Sequence, residues 1–388
     1  MKGHRADRRK KLLVFFSRGG GGHIAAADAI SGYFNGCHAI IPVNIITDIL
    51  ASLDPIRHLS RGRFNGEDLY NWLQMRSLYG LLNLYSLKFG RSFIAGASQR
   101  IKQLMKAYLE RERPDLVISV MPYFNAPIAA ATGELGIPFL IVSVDLDSTT
   151  YIYGLEQEKR DHLFLCLPHD SPSIRATIAP AGLEMKQIRI TGFPVRPSFI
   201  APADPRRIKE AFALSNESPI VILLMGAAGA DQTIRFAREM AKINQPIQLI
   251  IGTGRNRKLY EKVRAVPSPS HIKRHVLPFT PRIADLMGVA DLIVTKSGPV
   301  TIFEAIHREL PMVIDATTRL IHWEKMNVAF IEEQGIGTVN REVRELPHIV
   351  SQHLFDGVYR TGIKHNIAAF EKKIFRDQFK MLISEIAS

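Results

Sequence analysis

Short apolar runs alternate along the chain with segments whose apolar residues recur at helical spacing. The run Leu12–Phe16 is apolar and partly aromatic, which is typical of a buried parallel strand, and the Ala-rich sequence from His23 onward predicts a helix. Further strands are predicted in two series: "HAIIPVNII", "PDLVISVMP", "IPFLIVSVD", "DHLFLCLP" and "QIRITG", then "PIVILLMGAAG", "PIQLIIGTG", "HVLPF", "ADLIVTKSG" and "LPMVIDA". This alternation predicts an α/β fold with two mostly parallel sheets.

A proline-rich stretch, "GFPVRPSFIAPADP", separates the two series and is typical of an interdomain linker. The predicted organisation has four parts: a first domain over 1–192, a linker over 193–205, a second domain over 206–355 and C-terminal helices over 356–388. Parallel sheets bind ligands beyond the carboxyl ends of their strands, so two such sheets in tandem predict a site in a central cleft.

The composition favours a folded, cytoplasmic protein. Hydrophobic residues make up 46% of the 388 positions and charged residues 22%. The two cysteines, Cys37 and Cys166, form no disulfide framework and are consistent with a reducing compartment. No apolar run approaches the ~20 residues of a membrane span. The basic N-terminus leads directly into the first strand, so no signal peptide is expected.

The net charge of +13 predicts an acidic partner: a nucleic acid, a phosphorylated ligand or an anionic membrane. Segment 50–113 combines aromatic and basic residues at helical spacing: Trp72, Tyr79, Tyr85, Phe89 and Phe93 with Arg76, Lys88 and Arg91. Such a segment can lie on an anionic bilayer, or it can be a helical pair packed in the core with a solvated basic face. No nucleic-acid-binding module is recognisable, so no nucleic-acid partner is expected.

The glycines between the first strand and helix, Gly19–Gly22, leave bare backbone where a ligand can approach closely. The helix N-terminus behind such a loop tends to hold an anion, although a tight turn without a ligand has the same sequence. Gly20, Gly22 and Ala25 also match a relaxed dinucleotide fingerprint. The acid expected at the end of the next strand is missing, because that strand ends near Asn44. A dinucleotide cofactor is therefore not favoured.

The second half contains a more specific pattern, "VTKSGPVTIFEAIHRELP". The strand Leu292–Thr295 leads through Lys296 to Ser297 and Gly298, and a helix is predicted over Thr301–His307. Backbone N–H groups and a hydroxyl at that helix N-terminus can hold a diphosphate. Glu304 lies one turn further, where a carboxylate can accept both hydroxyls of a ribose; the alternative is an exposed helix charge.

The combination of "GGGGHIAAADAI", "GFPVRPSF", "ILLMGAAGA", "IGTGRNRKL" and this last pattern resembles the diacylglycerol glycosyltransferases, the monogalactosyldiacylglycerol synthase family. The resemblance runs in order from about residue 12 to 340. It implies a GT-B fold, in which two Rossmann-like domains face a central cleft and a C-terminal helix crosses back to the first domain. It also implies inverting transfer from a UDP-sugar on the second domain to a lipid acceptor on the first, without metal or cofactor.

The resemblance also implies roles for individual residues. The diphosphate and phosphate positions are Gly226, Ala227, Ser297, Gly298, Pro299 and Thr301. Arg255 and Asn256 close a strand beside the nucleotide, Phe279 and Thr280 frame the uracil, and Glu304 holds the ribose. Gly20, Gly21, Gly22 and His23 face the cleft from the acceptor domain.

The sequence departs from the family at several of these sites. The family's Pro-Gly-Gln-Glu-x-x-x-Asn becomes "RLIHWEKMN", in which Glu324 and Asn327 keep their order but Trp323 replaces Gln. This replacement changes the expected sugar contacts. In the first domain Met121 stands where the family has the His of a His-Pro pair, and the His expected downstream of Asp145 is missing.

Inverting transfer needs a general base for the acceptor hydroxyl, and Asp145 and His23 are the two candidates. Asp145 and Asp147 also form a D-x-D pattern, but they lie in the acceptor half, so a metal site is not favoured there. The predicted protein is thus a cytoplasmic, peripherally membrane-associated hexosyltransferase with a UDP-sugar and a diacylglycerol-like lipid as substrates. A UDP-sugar epimerase of the same fold and a degenerate GT-B binding protein are the alternatives.

Overall fold

The computed structural model describes residues 9–76, 78–157, 161–226 and 229–386. The chain divides into two compact units. The first unit comprises Met1–Asn71, Leu84–Arg196 and Lys373–Ser388, and the second comprises Trp72–Asn83 and Pro197–Lys372. Each unit contains one six-stranded sheet in which all the pairings are parallel. The predicted α/β fold class is confirmed.

The sheet of the first unit has the strand order β2-β1-β3-β4-β5-β6. Its strands are β1 (Lys11–Phe16), β2 (Ala39–Asn44), β3 (Leu116–Ser119), β4 (Phe139–Val142), β5 (Leu163–Leu167) and β6 (Ile188–Ile190). In the central strand β1, four consecutive side chains from Leu12 to Phe15 have no exposed surface. Helices that cover both faces of a parallel sheet produce such an uninterrupted apolar run.

The helices that begin before the linker are α1 (Gly22–Phe34), α2 (Pro55–Leu59), α3 (Gly66–Met75), α4 (Tyr79–Leu84), α5 (Arg91–Glu112), α6 (Asn125–Leu135) and α7 (Pro172–Ile178). Two π-helical turns cover Ile45–Ile49 and Tyr85–Gly90. The second turn joins α4 to α5, so the aromatic and basic sequence from Tyr79 to Glu112 forms one nearly continuous helical segment.

The second sheet has the order β12-β11-β10-β7-β8-β9. Its strands are β7 (Ile220–Leu224), β8 (Ile247–Gly252), β9 (Ile272–Leu277), β10 (Leu292–Lys296), β11 (Met312–Asp315) and β12 (Gly337–Asn340). The remaining helices are α8 (Pro205–Ala211), α9 (Gln232–Met240), α10 (Arg257–Arg264), α11 (Ile283–Met287), α12 (Pro299–His307), α13 (Lys325–Gln334), α14 (Leu346–Phe355), α15 (Gly357–Ala369) and α16 (Phe375–Ile386).

Helix α8 begins at the end of the proline-rich stretch. The side chain of Asp204 accepts a hydrogen bond from the Arg207 backbone N–H, and Pro205 occupies the first helical position of α8. Both features favour helix initiation, because the cap satisfies a backbone donor and proline lacks the N–H that would otherwise need a partner.

The last two helices belong to different units. Helix α15 is part of the second unit, whereas α16 packs in the first, where the rings of Phe34 and Phe379 are 5.6 Å apart. Arg189 and Glu385 form an ion pair that also attaches α16 to the first unit. The sequence-based segment 356–388 therefore contains helices of both units.

Residues Trp72–Asn83 interrupt the first unit in sequence but belong to the second. The Asn83 side chain donates to the Leu320 carbonyl oxygen at 3.3 Å and accepts from the His322 N–H at 2.9 Å. Both hydrogen bonds bridge 237 or more positions of sequence. Local hydrophobic periodicity carries no information about such a pairing, and the sequence analysis did not anticipate it.

A buried polar cluster joins β12, α14 and α15 in the second unit. His353 is 2% exposed, and its Nε2 lies 2.8 Å from the Thr338 hydroxyl, which also contacts the hydroxyl of Tyr359. The His353 and Tyr359 rings meet edge to face at 5.0 Å. Burial lowers the pKa of His353 from 6.5 to about 4, so the imidazole is neutral in the folded protein at neutral pH.

We expect His353 to make the free energy of unfolding fall in mild acid. Above pH 6.5 both states hold neutral imidazole, but as the pH falls toward 4 only the unfolded chain takes up the proton. From pH 7 to pH 5 this residue should cost about 2 kcal/mol of stability. His353→Gln should reduce the acid-induced loss by that amount in denaturant titrations at the two pH values. His348→Gln, on the exposed side of the same helix, is the control. Equal pH dependence in both variants would contradict the assignment.

Candidate functional site

In the second unit the strand order reverses between β7 and β10, which are neighbours in the sheet. The chain turns from β7 toward β8 and β9 on one side, and from β10 toward β11 and β12 on the other. At such a switch point the loops that leave two adjacent strands diverge and open a crevice at the carboxyl edge of the sheet. Gly226 follows β7, and Ser297 and Gly298 follow β10, so three predicted donor-site residues lie at this crevice.

Lys296 is the last residue of β10, and its side chain extends along the loops that follow β7 and β10. A Cβ added to Gly226 would lie 3.6 Å from the Lys296 Cε atom, and one added to Gly298 would lie 3.2 Å from it. The Lys296 Nζ atom is 3.2 Å from a carboxylate oxygen of Glu324, which is 7% exposed. The sequence analysis named Lys296 within the motif but gave it no role. Its position directly before Ser297 was the available signal.

Two further predicted residues, Glu324 and Asn327, are joined to Ser297 at the same edge. The Ser297 hydroxyl donates to Glu324 at 2.9 Å, and the Asn327 side chain donates to the Ser297 carbonyl oxygen at 2.8 Å. Glu324 and Asn327 thus hold the loop that begins α12. Trp323 lies in the short 3-10 turn His322–Glu324 and is half-buried. These contacts explain why Glu324 and Asn327 keep the family's order, whereas Trp323 makes none of them.

Helix α12 begins at this loop with unpaired backbone donors. Gly298 is its N-cap and supplies no side-chain cap, while Pro299 occupies the first position and Thr301 lies in the first turn. The N-terminus of a helix in this condition favours an anion. Glu304 is 3% exposed, so the alternative interpretation of an exposed helix charge is wrong.

The loops after β8 and β9 form the other side of the crevice. The Arg255 guanidinium lies 4.2 Å from the centre of the Phe279 ring, and Phe279 keeps 46% of its surface exposed. The Phe279 N–H donates to the Gly254 carbonyl oxygen at 2.8 Å, and the Thr280 hydroxyl accepts from the Arg282 N–H. A partly exposed aromatic ring backed by a cation offers a flat surface for a base.

Arg255 and Asn256 are predicted from the resemblance to close a strand, but Asn256 does not. Strand β8 ends at Gly252, and Asn256 is instead the N-cap of α10, where its side chain accepts from the Leu259 N–H at 2.9 Å. The same side chain donates to the Gly229 carbonyl oxygen at 3.2 Å. Gly229 has a φ of +77°, and a Cβ there would fall 2.1 Å from the Thr253 carbonyl oxygen, so only glycine fits. Ala227 lies outside the described residues.

The polar ends of β10, β11 and β12 are in register. Lys296 pairs with Asp315, and Asp315 pairs with Asn340. Asp315 accepts from the Gln232 side chain at 2.6 Å and from the Thr317 N–H at 2.9 Å. Burial raises the pKa of Asp315, and the charge of Glu324 acts in the same direction. The sequence analysis missed this group, although a single Asp at a strand end in "MVIDA" was visible.

The first unit has its own switch point, between β1 and β3. The glycine loop after β1 is held there by α3. The Gly20 N–H donates to the Asn71 side chain at 2.9 Å, the Asn71 side chain donates to the Arg18 carbonyl oxygen at 2.9 Å, and Glu67 accepts from the Arg18 N–H. Gly21 and Gly22 lead into α1, and nothing lies within 4 Å of a Cβ added to Gly21. The loop is therefore anchored to α3 by hydrogen bonds of its backbone, while the space beside Gly21 is open.

The two candidate bases lie at the carboxyl edge of this sheet. His23 is in the first turn of α1, 3.3 Å from the Ser17 hydroxyl through its Nδ1, and desolvation lowers its pKa to about 4. Asp145 follows β4, is 8% exposed and accepts from the buried Tyr151 hydroxyl at 3.2 Å. His23 is therefore neutral, and can accept a proton, at neutral pH.

The D-x-D pattern does not place its carboxylates on a common partner. Asp147 accepts from both the N–H and the hydroxyl of Thr149, at 3.0 and 2.6 Å, while Asp145 accepts from Tyr151. Across the described ranges, no group of three or more His, Cys, Asp or Glu side chains is arranged to hold a metal ion.

Comparison with known proteins supports the resemblance. Residues 220–373, which include the whole β7–β10 crevice, match the glycosyltransferase family 28 C-terminal domain. The resemblance found in the sequence is confirmed over this part of the chain.

Two curated relatives match most of the chain. Monogalactosyldiacylglycerol synthase 1, chloroplastic, of Arabidopsis thaliana is 28% identical over 368 residues, which cover 90% of this chain and 66% of that protein. Processive diacylglycerol beta-glucosyltransferase of Bacillus licheniformis is 23% identical over 366 residues, covering 92% of this chain and 90% of that protein. The chain thus spans just under two thirds of the length of the plant relative.

Among solved structures, MurG of Acinetobacter baumannii is similar with a TM-score of 0.61 at 14% identity, and the alignment covers 97% of this chain and 99% of that one. The chain therefore has the GT-B fold that the resemblance implied.

We expect Glu304→Gln to weaken UDP binding. The substitution preserves the size of the side chain but removes the charge that strengthens a hydrogen bond from a ribose hydroxyl. A lost charged hydrogen bond is worth about 1.5–3 kcal/mol, so the Kd should rise roughly ten- to a hundredfold by calorimetry. Glu333→Gln, on the exposed face of α13, is the matched control. If the two variants bind UDP equally well, Glu304 does not hold the ribose.

Proposed function

We propose that this chain is an inverting glycosyltransferase that moves a hexose from a UDP-sugar to a diacylglycerol-like lipid. The observation that carries the proposal is the β7–β10 crevice, where Lys296, a helix N-terminus without a side-chain cap and the half-exposed Phe279 lie around one loop system. A cation and free N–H groups suit a diphosphate, and the aromatic face suits a base. The lipid acceptor is supported by the two diacylglycerol-specific relatives.

The leaving group is the main electrostatic problem in this reaction. The acceptor oxygen forms a bond to the anomeric carbon while the bond to the diphosphate breaks, and the electron pair of that bond stays on UDP. Lys296 and the N-terminus of α12 place positive charge where this negative charge would develop. We propose that these groups stabilise the departing diphosphate and that no metal or cofactor takes part.

The acceptor hydroxyl must lose its proton as the new bond forms. We assign this proton to Asp145 in the first unit, with His23 as the second candidate. The Tyr151 hydroxyl donates to one Asp145 oxygen at 3.2 Å and so orients the carboxylate. His23 is neutral at pH 7 because burial lowers its pKa to about 4.

The assignment of Asp145 predicts a selective loss of turnover. Parent protein incubated with UDP-glucose or UDP-galactose and diacylglycerol should release UDP and give a lipid one hexose heavier by mass spectrometry. Asp145→Asn should reduce kcat by roughly a hundred- to ten-thousandfold and leave the Kd of UDP unchanged, because UDP is assigned to the second unit. Asp170→Asn, an exposed carboxylate of the same unit, is the control.

Each other outcome identifies a different error. Full activity in Asp145→Asn transfers the role of base to His23, which His23→Ala would then test. Conversion of the UDP-sugar to its epimer without a glycolipid product would support the epimerase. Binding of UDP without any turnover would support a degenerate binding protein.

We further propose that the acceptor is taken from an anionic membrane surface. Seven of the twelve exposed large apolar side chains of the described residues fall within residues 59–84: Leu59, Phe64, Trp72, Met75, Leu78, Leu81 and Leu84. Exposed basic residues are interspersed with them: Arg57, Arg61, Arg63 and Arg76. The segment also buries Leu73 and Leu82, so it contributes to the core as well. Along the described parts of the chain, no helix combines the length and the apolar character needed to cross a bilayer.

Vesicle binding should depend on both apolar and charged groups. Binding should increase with phosphatidylglycerol content and decrease with salt, since salt screens surface charge. Trp72→Ser combined with Leu81→Ser should lower the partition coefficient by about tenfold or more, because each side chain loses apolar contact with the bilayer. Met381→Ser removes an equally exposed apolar side chain on α16 and should have no effect. Equal sedimentation with neutral and anionic vesicles at every salt concentration would contradict the proposal.

A further inference from the structure

Tyr123 has an unusual backbone conformation for a buried aromatic residue. Its φ is +67°, in the left-handed region that side chains rarely adopt. Within the described ranges, four other non-glycine residues have positive φ, and all four are exposed: Arg61, Arg113, Ala213 and Glu309. Tyr123 is only 9% exposed. Strain of this kind at a buried position is typical of a functional site.

The loop that holds Tyr123 is firmly tied to the loop that carries the assigned base. The Tyr123 N–H donates to the Thr150 carbonyl oxygen at 2.7 Å. The Asn125 side chain donates to the carbonyl oxygens of Met121 and Tyr151, at 2.8 and 2.9 Å. These bonds hold the loops after β3 and β4 together, so the strained conformation of Tyr123 is fixed relative to the Asp145 loop.

Two buried donors in this region have no acceptor. Among the described residues, the Arg91 Nε–H is buried without a hydrogen-bond partner, and the Tyr123 hydroxyl is buried without an acceptor for its proton. The Arg91 guanidinium lies 5.4 Å from the centre of the Tyr153 ring, and that ring is 6.3 Å from the ring of Tyr123. Most buried polar groups in folded proteins are hydrogen-bonded, so two adjacent exceptions require an explanation.

Both groups are donors under working conditions. Burial raises the pKa of Tyr123 to about 12, and the positive charge of Arg91 and a hydrogen bond from its side chain oppose that shift without reversing it. The phenol is therefore protonated at neutral pH, and arginine is always a donor. An oxygen atom that carries no proton of its own would satisfy both groups.

We propose that Tyr123, together with Arg91, binds an ester carbonyl oxygen of the lipid acceptor and thereby positions its free hydroxyl near Asp145. The inference rests on the proposed function. In a diacylglycerol the free hydroxyl is the group that reacts, and the ester carbonyls are the strongest remaining hydrogen-bond acceptors. Met121, two residues before Tyr123, is 3% exposed and apolar, so it offers no hydrogen bond there.

The test compares a diester lipid with a diether lipid that has the same chains but no carbonyl groups. KM and kcat for 1,2-diacylglycerol and 1,2-dialkylglycerol are measured at saturating UDP-hexose for the parent, Tyr123→Phe and Tyr153→Phe. Tyr123→Phe should raise KM for the diester about fivefold, the value of one neutral hydrogen bond, and leave KM for the diether unchanged. Tyr153→Phe preserves the ring that stacks under Arg91 and should behave like the parent on both lipids.

An equal rise in KM for both lipids, or no rise for either, would overturn the inference. Arg91→Lys retains a positive charge but loses the Nε–H donor, and it offers a second variant if Tyr123→Phe does not fold. It should likewise raise KM for the diester and leave KM for the diether unchanged. The parent itself should bind the diether more weakly than the diester. If the parent transfers hexose to neither lipid, the proposed function fails, and the inference fails with it. If hexose is transferred but the ratio of KM for the diether to KM for the diester is the same in Tyr123→Phe as in the parent, the inference fails and the proposed function stands.

Discussion

The site chemistry of this protein depends on a single constraint of parallel sheets. All strands of a sheet end at the same edge, and where the order reverses, the loops leaving two neighbouring strands must diverge. The first unit reverses between β1 and β3 and the second between β7 and β10. In each case the loops that diverge carry glycines or polar residues whose backbone groups have few partners in the sheet. The two crevices follow from topology before any side chain is considered.

The two crevices are lined by opposite chemistry. In the second unit Lys296 lies along Gly226 and Gly298 and pairs with Glu324, which also accepts from Ser297. This ion pair holds the Lys296 ammonium group in place, at the cost of burying the Glu324 carboxylate. In the first unit the corresponding edge presents proton acceptors. A site that stabilises an anion and a site that accepts a proton are the two requirements of displacement at a sugar carbon.

Helix α3 connects two otherwise separate features. Glu67 and Asn71 lie four residues apart, so they share one face of the helix, and both hold the glycine loop after β1. Trp72 and Met75, further along the same helix, are 48% and 40% exposed. One short helix thus supports the backbone beside His23 and also presents apolar side chains to solvent. The aromatic and basic sequence admitted both a core and a surface interpretation, and the helix fulfils both.

The sequence by itself determined the alternation of strands and helices, the two series around the proline-rich linker, and the residues at the β10–α12 junction. These follow from local patterns: apolar runs for buried strands, and Ser297-Gly298-Pro299 for a helix start. The tertiary structure alone decided which distant groups meet, because no local pattern encodes a pairing across many residues. Asn83 with the segment around Leu320, Lys296 with Glu324, and the strained Tyr123 beside Arg91 all depend on how the chain returns to itself. Asn256 shows both contributions. The motif singled it out, but only the end of β8 at Gly252 decided that it caps a helix and does not close a strand.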